Sequence, residues 1–413
     1  MPSIEILEKD LTSGGSGTTN FNIVFVPGFM STTKGGKAKK NNPILCNTLK
    51  EFEEYFGTEP ATFESSGEGT SETSVDKSYI YAKELLNLGL PVLYESLNEM
   101  TDTPDKTAMD SNFTTDNLAK FEDKGDYQFK YFTSGGYAIN TNSVAAVVTM
   151  VTNRADCLFL LDHSEEINSA ATLKTYYEGI QGATYGDYCA AFTPWVNVDC
   201  TTYAPKDANG KKLDNTVMLP PSFAYLSALA KSIKTNASWL AVAGATRGQI
   251  PNLNVKNPVV FDISNSLAES LQSRGKSTEK ALSINAITNI KPFGYRIWGN
   301  RTLKNNSIEG DLTATSFINI RNMICDVKKV VYEACRKYTF EQNNDVLWLN
   351  FKAAIEPTLN QMKTGAGLSG YKVIKVDTDE KAKLKAQIKL YPLYAVEDFT
   401  VEVLMLDEEI AVS

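Results

Sequence analysis

Helix and strand patterns alternate through the middle of the chain, and this alternation restricts the possible folds more than any other feature. A helical pattern begins near residue 143 and is followed by a short apolar run at 157–161, which is typical of a buried strand. A second helix is predicted after a Pro-Pro pair, with Ser222 as its N-cap, and the apolar stretch 238–246 predicts another strand. The sequence therefore predicts a mixed α/β fold in which helices cover a layered sheet.

The first half of the chain shows two further elements and one acidic segment. Residues 21–29 form an apolar run that ends in Pro-Gly, which indicates a short buried strand. Thr48 and Glu51 have the spacing of a capping box, so a helix is predicted there with Gly57 at its end. Residues 99–126 contain eight Asp or Glu against three Lys and show little periodicity, and we expect them to form a solvent-facing insertion.

A long amphipathic helix is predicted over residues 316–340. Its apolar residues recur on one broad face, as they do in a helix that packs on a core. Four basic residues occupy a band of roughly 100° on another face: Arg321, Lys328, Lys329 and Arg336. At this point the basic band has two interpretations, a solvated helix face or a contact for an acidic partner.

Both ends of the chain carry strand patterns. Ile4 and Ile6 alternate weakly and precede a Gly/Ser-rich hinge, so residues 1–20 are either a tethered strand-forming arm or a disordered tail. Near the other end, residues 384–390 alternate strictly and residues 399–405 alternate over most of their length, with Pro392 between them. An exposed terminal strand leaves an unpaired edge, which another chain can extend.

Length and charge restrict the class of protein. A chain of 413 residues is too long for one ordinary core and is expected to form two or three domains. A formal net charge of −8 argues against nucleic acid as the main partner, because phosphate neutralisation needs a basic surface. The sequence shows no apolar run of membrane-spanning length and no apolar leader, so we expect a protein without membrane insertion that stays in the cytoplasm, whether cellular or viral.

The sequence offers little for catalysis. Its six cysteines lack metal-ligand spacing and are predicted to be reduced structural thiols, and its single histidine excludes most zinc and triad chemistry. No phosphate-binding glycine motif occurs, so neither a cofactor nor a metal is expected. The best acid–base candidates are Asp162 and His163 after a buried strand, but adjacent strand residues point to opposite faces. An α/β enzyme that uses these two residues remains the alternative.

The stretch GYRIWGNRTL, residues 294–303, resembles a signature of contractile-tail sheath proteins, the family of myovirus-type phage tails, R-type bacteriocins and related contractile injection systems. Other segments resemble family motifs in the same order along nearly the whole chain: NPILCNTLKEFEEYFG, FTSGGYAINTNSVAAVVTMVTNRADCLFLLD, AAFTPWV, LPPS, FINIRNMI, YTFEQNNDVLW and KTGAGLSGYKV. The chain departs from the family at Asn322 and Gln342, where arginine and proline are usual. It also departs after Pro221, where a glycine and an arginine of the usual helix are missing.

The resemblance implies a multi-domain sheath fold. Its outer α/β domain would span residues 21–279, and its inner assembly domain would combine the arm 1–20 with residues 280–413. In such proteins, strands from neighbouring subunits complete a sheet on the inner domain. The residues implied for this role here are Ile4, Ile6, Ile388, Leu390, Val401 and Val403.

The resemblance also implies roles for the basic band and the signature. Arg321, Lys328, Lys329 and Arg336 become candidate contacts to an inner tube. Within the signature, Gly294, Trp298 and Gly299 are expected to pack a strand tightly, and Arg301 is expected to pair across a domain or subunit boundary.

The function that the resemblance implies is mechanical. Subunits would stack as hexameric rings around a tube, in a virion tail or related particle assembled in the host cytoplasm, and contract by domain rotation to drive the tube through a target envelope. The implied partners are further copies of this chain, a tail tube protein, and baseplate and tail terminator proteins. A non-contractile, sheath-like accessory protein is a second alternative to this function.

Overall fold

The structure is a computed structural model that describes residues 21–63, 74–180, 186–200, 203, 215–272, 283–304 and 313–397. Its strands, in chain order, are β1 Val24–Gly28, β2 Ile44–Cys46, β3 Thr62–Phe63, β4 Ser74–Val75, β5 Val92–Ser96, β6 Tyr131–Thr133, β7 Leu158–Leu161, β8 Cys189–Thr193, β9 Val196–Asp199, β10 Thr216–Leu219, β11 Asn285–Ile290, β12 Gly294–Trp298, β13 Leu368–Val376 and β14 Lys385–Pro392.

The helices lie mostly between strands of the large sheet, and two long ones follow it. They are α1 Leu49–Phe56, α2 Lys77–Leu88, α3 Ala108–Asn112, α4 Thr115–Leu118, α5 Thr141–Arg154, α6 Ala170–Ile180, α7 Pro221–Ser232, α8 Gly244–Arg247, α9 Asn265–Gln272, α10 Ile318–Tyr338 and α11 Asp345–Thr364. None of them is both long and apolar enough to cross a lipid bilayer, within the described part of the chain.

An eight-stranded sheet in the order β12-β11-β8-β7-β6-β1-β5-β2 forms the centre of the described chain. Its six inner strands run parallel, and β2 and β12 are antiparallel edge strands. Parallel strands need helical crossovers, which places helices on both faces of such a sheet. The predicted mixed α/β fold, with helices on a layered sheet, is confirmed.

Each face of the sheet has its own core, because alternate residues of a strand point to opposite sides. On β1, Val24 and Val26 pack on one side with Phe52 of α1 and Phe223 of α7. Phe25, between them, packs on the other side with residues from α3, α4 and α5. Both cores are fully buried, as expected for a three-layer α/β unit.

Local sequence signals explain several of the element ends. Thr48 and Glu51 form the predicted capping box of α1, with Thr48 Oγ1 3.2 Å from the Glu51 amide nitrogen that donates to it. Gly57 ends the helix with a φ of 91°, which a side chain would disfavour. The predicted long amphipathic helix and the predicted strand at 384–390 are also confirmed, as α10 and β14.

Most residues of the segment 99–126, predicted as a solvent-facing insertion, are exposed, but the segment is also anchored in the core. This segment contains α3, α4 and a short 3₁₀ turn, and it buries four large apolar side chains in the core: Met109, Phe113, Leu118 and Phe121. The Phe121 ring lies 4.7 Å from that of Phe25 in an edge-to-face arrangement. The sequence did not predict this anchoring, because the helices of this segment are too short to show a clear hydrophobic period among its many acidic residues.

The strand predicted at 238–246 is absent as well. Its apolar residues form a loop that leads into the single-turn helix α8. Trp239 packs against the C-terminal helices, and its Nε1 donates to the Gly365 carbonyl oxygen at 2.9 Å. The apolar pattern of this stretch therefore reflects contact with another unit and not membership of the sheet.

The domain boundary predicted at residue 280 would separate β11 and β12 from the rest of the large sheet. Strand β11 pairs in parallel with β8, with Asn285 opposite Phe192, and β12 continues the sheet to Trp298. The Asn285 side-chain amide also donates to the Ala191 carbonyl oxygen at 2.9 Å. The signature therefore ends the sheet, and α10, α11, β13 and β14 follow it.

Substitution of Phe121 tests whether the segment 99–126 is anchored in the core. The Phe121→Ala variant should lose about 3–5 kcal/mol of unfolding free energy, because it leaves a cavity in an aromatic cluster. Phe293→Ala is the matched control, since that ring is 52% exposed, and we expect a change within about 0.5 kcal/mol. Urea unfolding of both variants measures the difference, and equal losses would contradict the packing described here.

Candidate assembly interface

A small C-terminal unit carries the strands predicted to link subunits. Helix α10 packs along α11, and the antiparallel hairpin β13–β14 packs on both. Its core consists of Ile320, Met323, Val327, Leu359, Met362 and Leu368. Asn344 caps α11, with its Oδ1 accepting from the Leu347 amide at 2.9 Å, and Asn343 donates to the Lys381 carbonyl oxygen at 2.9 Å. The turn between the helices is thus attached to the turn of the hairpin.

The hairpin forms a two-stranded sheet, and neither outer edge pairs with another strand in the described part of the chain. Val373 lies opposite Ile388, and Tyr371 lies opposite Leu390, and all four side chains face the helices while remaining only half-buried. Unpaired edges present backbone N–H and C=O groups that a further strand can satisfy. Ile388 and Leu390 therefore lie where an added strand would extend their apolar row.

The other predicted linking residues cannot be placed beside this hairpin. Ile4, Ile6, Val401 and Val403 lie outside the described residues. Their role in joining subunits stays a prediction.

The basic band of α10 does not form an exposed stripe. Arg321 is 3% exposed, pairs with Asp187 and lies with its guanidinium 4.1 Å from the centre of the Tyr188 ring. Lys328 donates to the Tyr188 hydroxyl at 2.8 Å. These side chains join the helix to the loop before β8.

Lys329 lies deeper in the same contact. It is 7% exposed and donates to a carboxylate oxygen of Asp156 at 3.0 Å, and Arg154 binds the other oxygen of that carboxylate at 2.7 Å. Asp326, also on α10, accepts a charged hydrogen bond at 2.8 Å from Lys130, which is fully buried next to β6. Buried charges persist only with such partners. The charged face of α10 is thus an interface within the chain.

Of the four predicted tube contacts, Arg336 alone is solvent-exposed. The expectation that Arg321, Lys328 and Lys329 face a tube is corrected, because these groups bind Asp187, Asp156, Tyr188 and backbone carbonyls of the same chain. Sequence reasoning missed the partners since they lie more than 130 residues away. An available signal was Asp156, a carboxylate directly before a buried apolar run.

The signature residues have different roles from one another. Gly294 adopts a φ of 80° after the turn that joins β11 and β12, and a Cβ on Gly299 would lie 2.1 Å from the side-chain nitrogen of Gln272. These two glycines serve backbone geometry and close packing. Trp298 is 41% exposed at the sheet edge, so the expected tight packing of its ring is not observed.

Arg301 lies where the chain's last described segment meets the sheet unit. Its side chain is buried, lies 4.5 Å over the ring of Phe317, and forms an ion pair with Glu397. Tyr394 packs edge-to-face on the same Phe317 ring at 5.3 Å. Arg301 therefore pairs, within the chain, with the segment that follows β14, and its expected role across a domain or subunit boundary stays a prediction.

Asp162 and His163 lie in the interior and do not form an acid–base pair. Asp162 accepts from the Ser222 amide at 2.9 Å and from the Ser222 hydroxyl at 2.6 Å, so Ser222 binds this aspartate and does not itself cap α7. His163 Nδ1 lies 2.9 Å from the Ser164 carbonyl oxygen, and its Nε2 lies 3.2 Å from the Thr193 hydroxyl. Both side chains have structural partners and no exposed surface from which to act on a substrate.

No group of three or more His, Cys, Asp or Glu residues is arranged to hold a metal ion in the ranges that the structure covers. All six cysteines are free thiols, and Cys335 is exposed while the other five are buried. Burial raises the pKa of Cys325 to about 11, which keeps that thiol protonated and unreactive.

Comparison with known proteins connects these features to contractile particles. The chain matches no protein-family model. A tail sheath protein of Vibrio phage KVP40 is 23% identical over 234 residues, which cover 55% of this chain and 32% of the phage protein. The chain thus matches about a third of that relative's length.

Solved structures share the fold over almost the entire chain. A chain of the six-fold symmetrised anti-feeding prophage baseplate has a TM-score of 0.64 at 13% identity and covers 98% of this chain and 99% of its own. The sheath complex of the extracellular contractile injection system PVC, in its contracted state, has a TM-score of 0.61 at 16% identity, with coverage of 98% and 97%. The predicted resemblance to contractile-tail sheath proteins is confirmed at the level of the fold.

Lys329 and Arg336 lie on the same helix, one in a buried ion pair and the other exposed, so substituting each of them tests whether the buried contact stabilises the fold. Lys329→Met should lower the free energy of unfolding by about 3 kcal/mol, because it removes one partner of a buried ion pair. Arg336→Met removes an exposed charge from the same helix and should change it by less than about 0.5 kcal/mol. Urea unfolding at low protein concentration compares the two, and an unchanged Lys329→Met variant would contradict the buried contact.

Asp162 predicts a pH dependence. Burial raises the pKa of this carboxyl from 3.8 to about 7, so the native state holds a proton that the unfolded state releases. Its contribution to stability is therefore present below about pH 4 and is lost as the pH rises towards 7. The Asp162→Asn variant should gain a few kcal/mol relative to the parent chain across this range.

His163 acts in the opposite direction, because burial lowers its pKa from 6.5 to about 4 and stability is lost as the pH falls through that range. Comparing the Asp162→Asn variant with the parent at each pH cancels this contribution, since both proteins contain His163. Urea unfolding from pH 4 to pH 8 gives the difference. A difference that stays constant would show that Asp162 has an ordinary pKa.

Proposed function

We propose that this chain is a structural subunit of a contractile tail sheath, which polymerises as hexameric rings around an inner tube. The observation that carries the proposal is the hairpin β13–β14, a two-stranded sheet whose two edges have no partner strand among the described residues, on a chain that has a sheath fold. A sheet of two strands is marginally stable by itself, and added strands complete it. Strands from neighbouring copies would supply them.

Contraction on this proposal is a rigid-body rotation of subunits that stay linked by strands. The sheath would be assembled in an extended, metastable state, and relaxation to a shorter and wider state would release stored free energy and drive the tube through a target envelope. The buried ion pairs of α10 favour movement of the hairpin together with the large sheet. The solved PVC sheath complex, which shares this fold, is in a contracted state.

The partners of such a subunit would be other copies of this chain, a tail tube protein, and baseplate and tail terminator proteins, in a tail or tail-like particle. Arg336 stays a candidate contact for the tube, because it is the exposed member of the basic band. The structure gives the enzymatic alternative no support at Asp162 or His163. A sheath-like accessory protein that does not contract remains the rival within the same fold.

Polymerisation of the purified chain tests the proposal. Electron microscopy and sedimentation of the full chain should show stacked rings or hollow tubes, with or without added tube protein as a nucleus. Deletion of residues 398–413 should abolish these polymers without changing the unfolding of the monomer, since it removes only the linking strand. A chain that stays monomeric at high concentration even with the cognate tube would refute the proposal.

A further inference from the structure

The face of the hairpin β13–β14 that points away from the helices carries Lys372, Lys385 and Lys389 beside Ile374, Val376 and Gln387, and it has no acidic residue. Lys372 lies directly opposite Lys389 in the strand register, and both side chains are exposed. Lys375, on the helix-facing side, is instead paired with Asp345 at 2.9 Å. No carboxylate lies within ion-pair distance of Lys372 or Lys389 in the described ranges. Like charges directly opposite each other on paired strands are destabilising.

The composition of the hairpin and of the chain's last residues is complementary. The two strands together contain four lysines and no acidic residue. Residues 398–413 contain five Asp or Glu and no Lys or Arg. In a protein with a net charge of −8, the two segments form an opposite-charge pair.

The order of residues in the terminal segment matches the two faces of the hairpin. Glu402 lies between Val401 and Val403, and adjacent strand residues point to opposite faces. A strand that turns the two valines towards the helices therefore turns Glu402 towards the lysines. Strands in a sheet lie about 4.8 Å apart, well within the reach of lysine and glutamate side chains. The N-terminal run Ile4, Glu5, Ile6 has the same order.

After the hairpin the chain runs towards the large sheet before the terminal segment begins. After Pro392 the Leu393 amide donates to the Gly367 carbonyl oxygen at 3.0 Å, and Glu397 is held by Arg301 at the end of the large sheet. Sixteen residues follow Glu397. Extended, they reach about 50 Å. The occupant best matched to the lysine face is thus this segment from a second copy.

We propose that Glu402 of a second copy binds the Lys372–Lys389 pair and so fixes the register of the added strand. This inference rests on the proposed strand linkage between subunits. If the added strand slipped by one residue, Glu402 would face the apolar helices, and Val401 and Val403 would face water. If it slipped by two residues, Thr400 or Leu404 would lie beside the lysines in place of Glu402. The backbone bonds of strand addition are the same in every register, so side chains must choose it.

The test is binding of a fluorescent peptide of residues 398–413 to the full chain, followed by anisotropy at low salt and low protein concentration. The Glu402→Lys peptide should bind about tenfold more weakly, because attraction becomes repulsion on a basic face. The chain carrying both Lys372→Glu and Lys389→Glu should bind the parent peptide about tenfold more weakly than the parent chain does. The same double variant should bind the Glu402→Lys peptide with the affinity that the parent chain has for the parent peptide. Salt at about 0.5 M should shrink these differences.

Lys363→Glu is the matched control, because it reverses an exposed lysine on α11 and should leave binding unchanged. The double variant exchanges one like-charge pair for another, so we expect it to keep the parent fold. A circular dichroism spectrum that matches the parent spectrum checks this. Peptide binding that ignores every charge reversal overturns the register proposal while leaving strand linkage intact. No binding by any peptide overturns both, and restored binding by the double reversal supports the pairing.

Discussion

Buried ion pairs between helix α10 and the large sheet hold the C-terminal unit in place, and the position of the hairpin β13–β14 depends on them. Asp326 and Lys329 leave the helix towards Lys130 and Asp156 on the sheet side. Separating these elements would leave charges without partners in an apolar surrounding, which is far more costly than losing an exposed pair. The hairpin is therefore rigidly attached to the large sheet through α10, and a rotation of the sheet would move the hairpin with it.

The proposed contact between subunits has the opposite character. Strand addition relies on backbone hydrogen bonds at an exposed edge, and its side-chain contacts are half-buried or solvated. Such a contact forms between any two compatible strands, which makes register and partner choice a separate problem. The opposed pair Lys372 and Lys389 offers a solution, because charge selects one alignment without deep burial.

Elements with a strong local pattern were predictable from the sequence, and long-range partners were not. Helix α10 and strand β14 follow directly from periods of 3.6 and 2. The basic residues of α10 were visible as a band, but nothing local could show that Lys329 meets Asp156. The same limit applies to Trp239, whose apolar neighbours suggested a strand although its ring packs on α11. Resemblance to a family supplied the fold, while the exposure of Trp298 had to be read from the structure.

The lysines of this acidic chain differ in a way that the sequence alone conceals. On α10, Arg321, Lys328 and Lys329 are matched by carboxylates or carbonyls of the same chain, so these three charges stabilise the fold and are unavailable to a partner. On the outer face of the hairpin, Lys372 and Lys389 have no carboxylate partner among the described residues, and no described strand pairs with the outer edges of the hairpin. An acidic strand added at this surface would supply carboxylates to the lysines and hydrogen-bond partners to the backbone groups of the edge. Residues 398–413 have that composition, and they follow Glu397, which Arg301 holds at the end of the large sheet. On the proposed pairing, the chain thus carries both halves of a contact between two copies of itself.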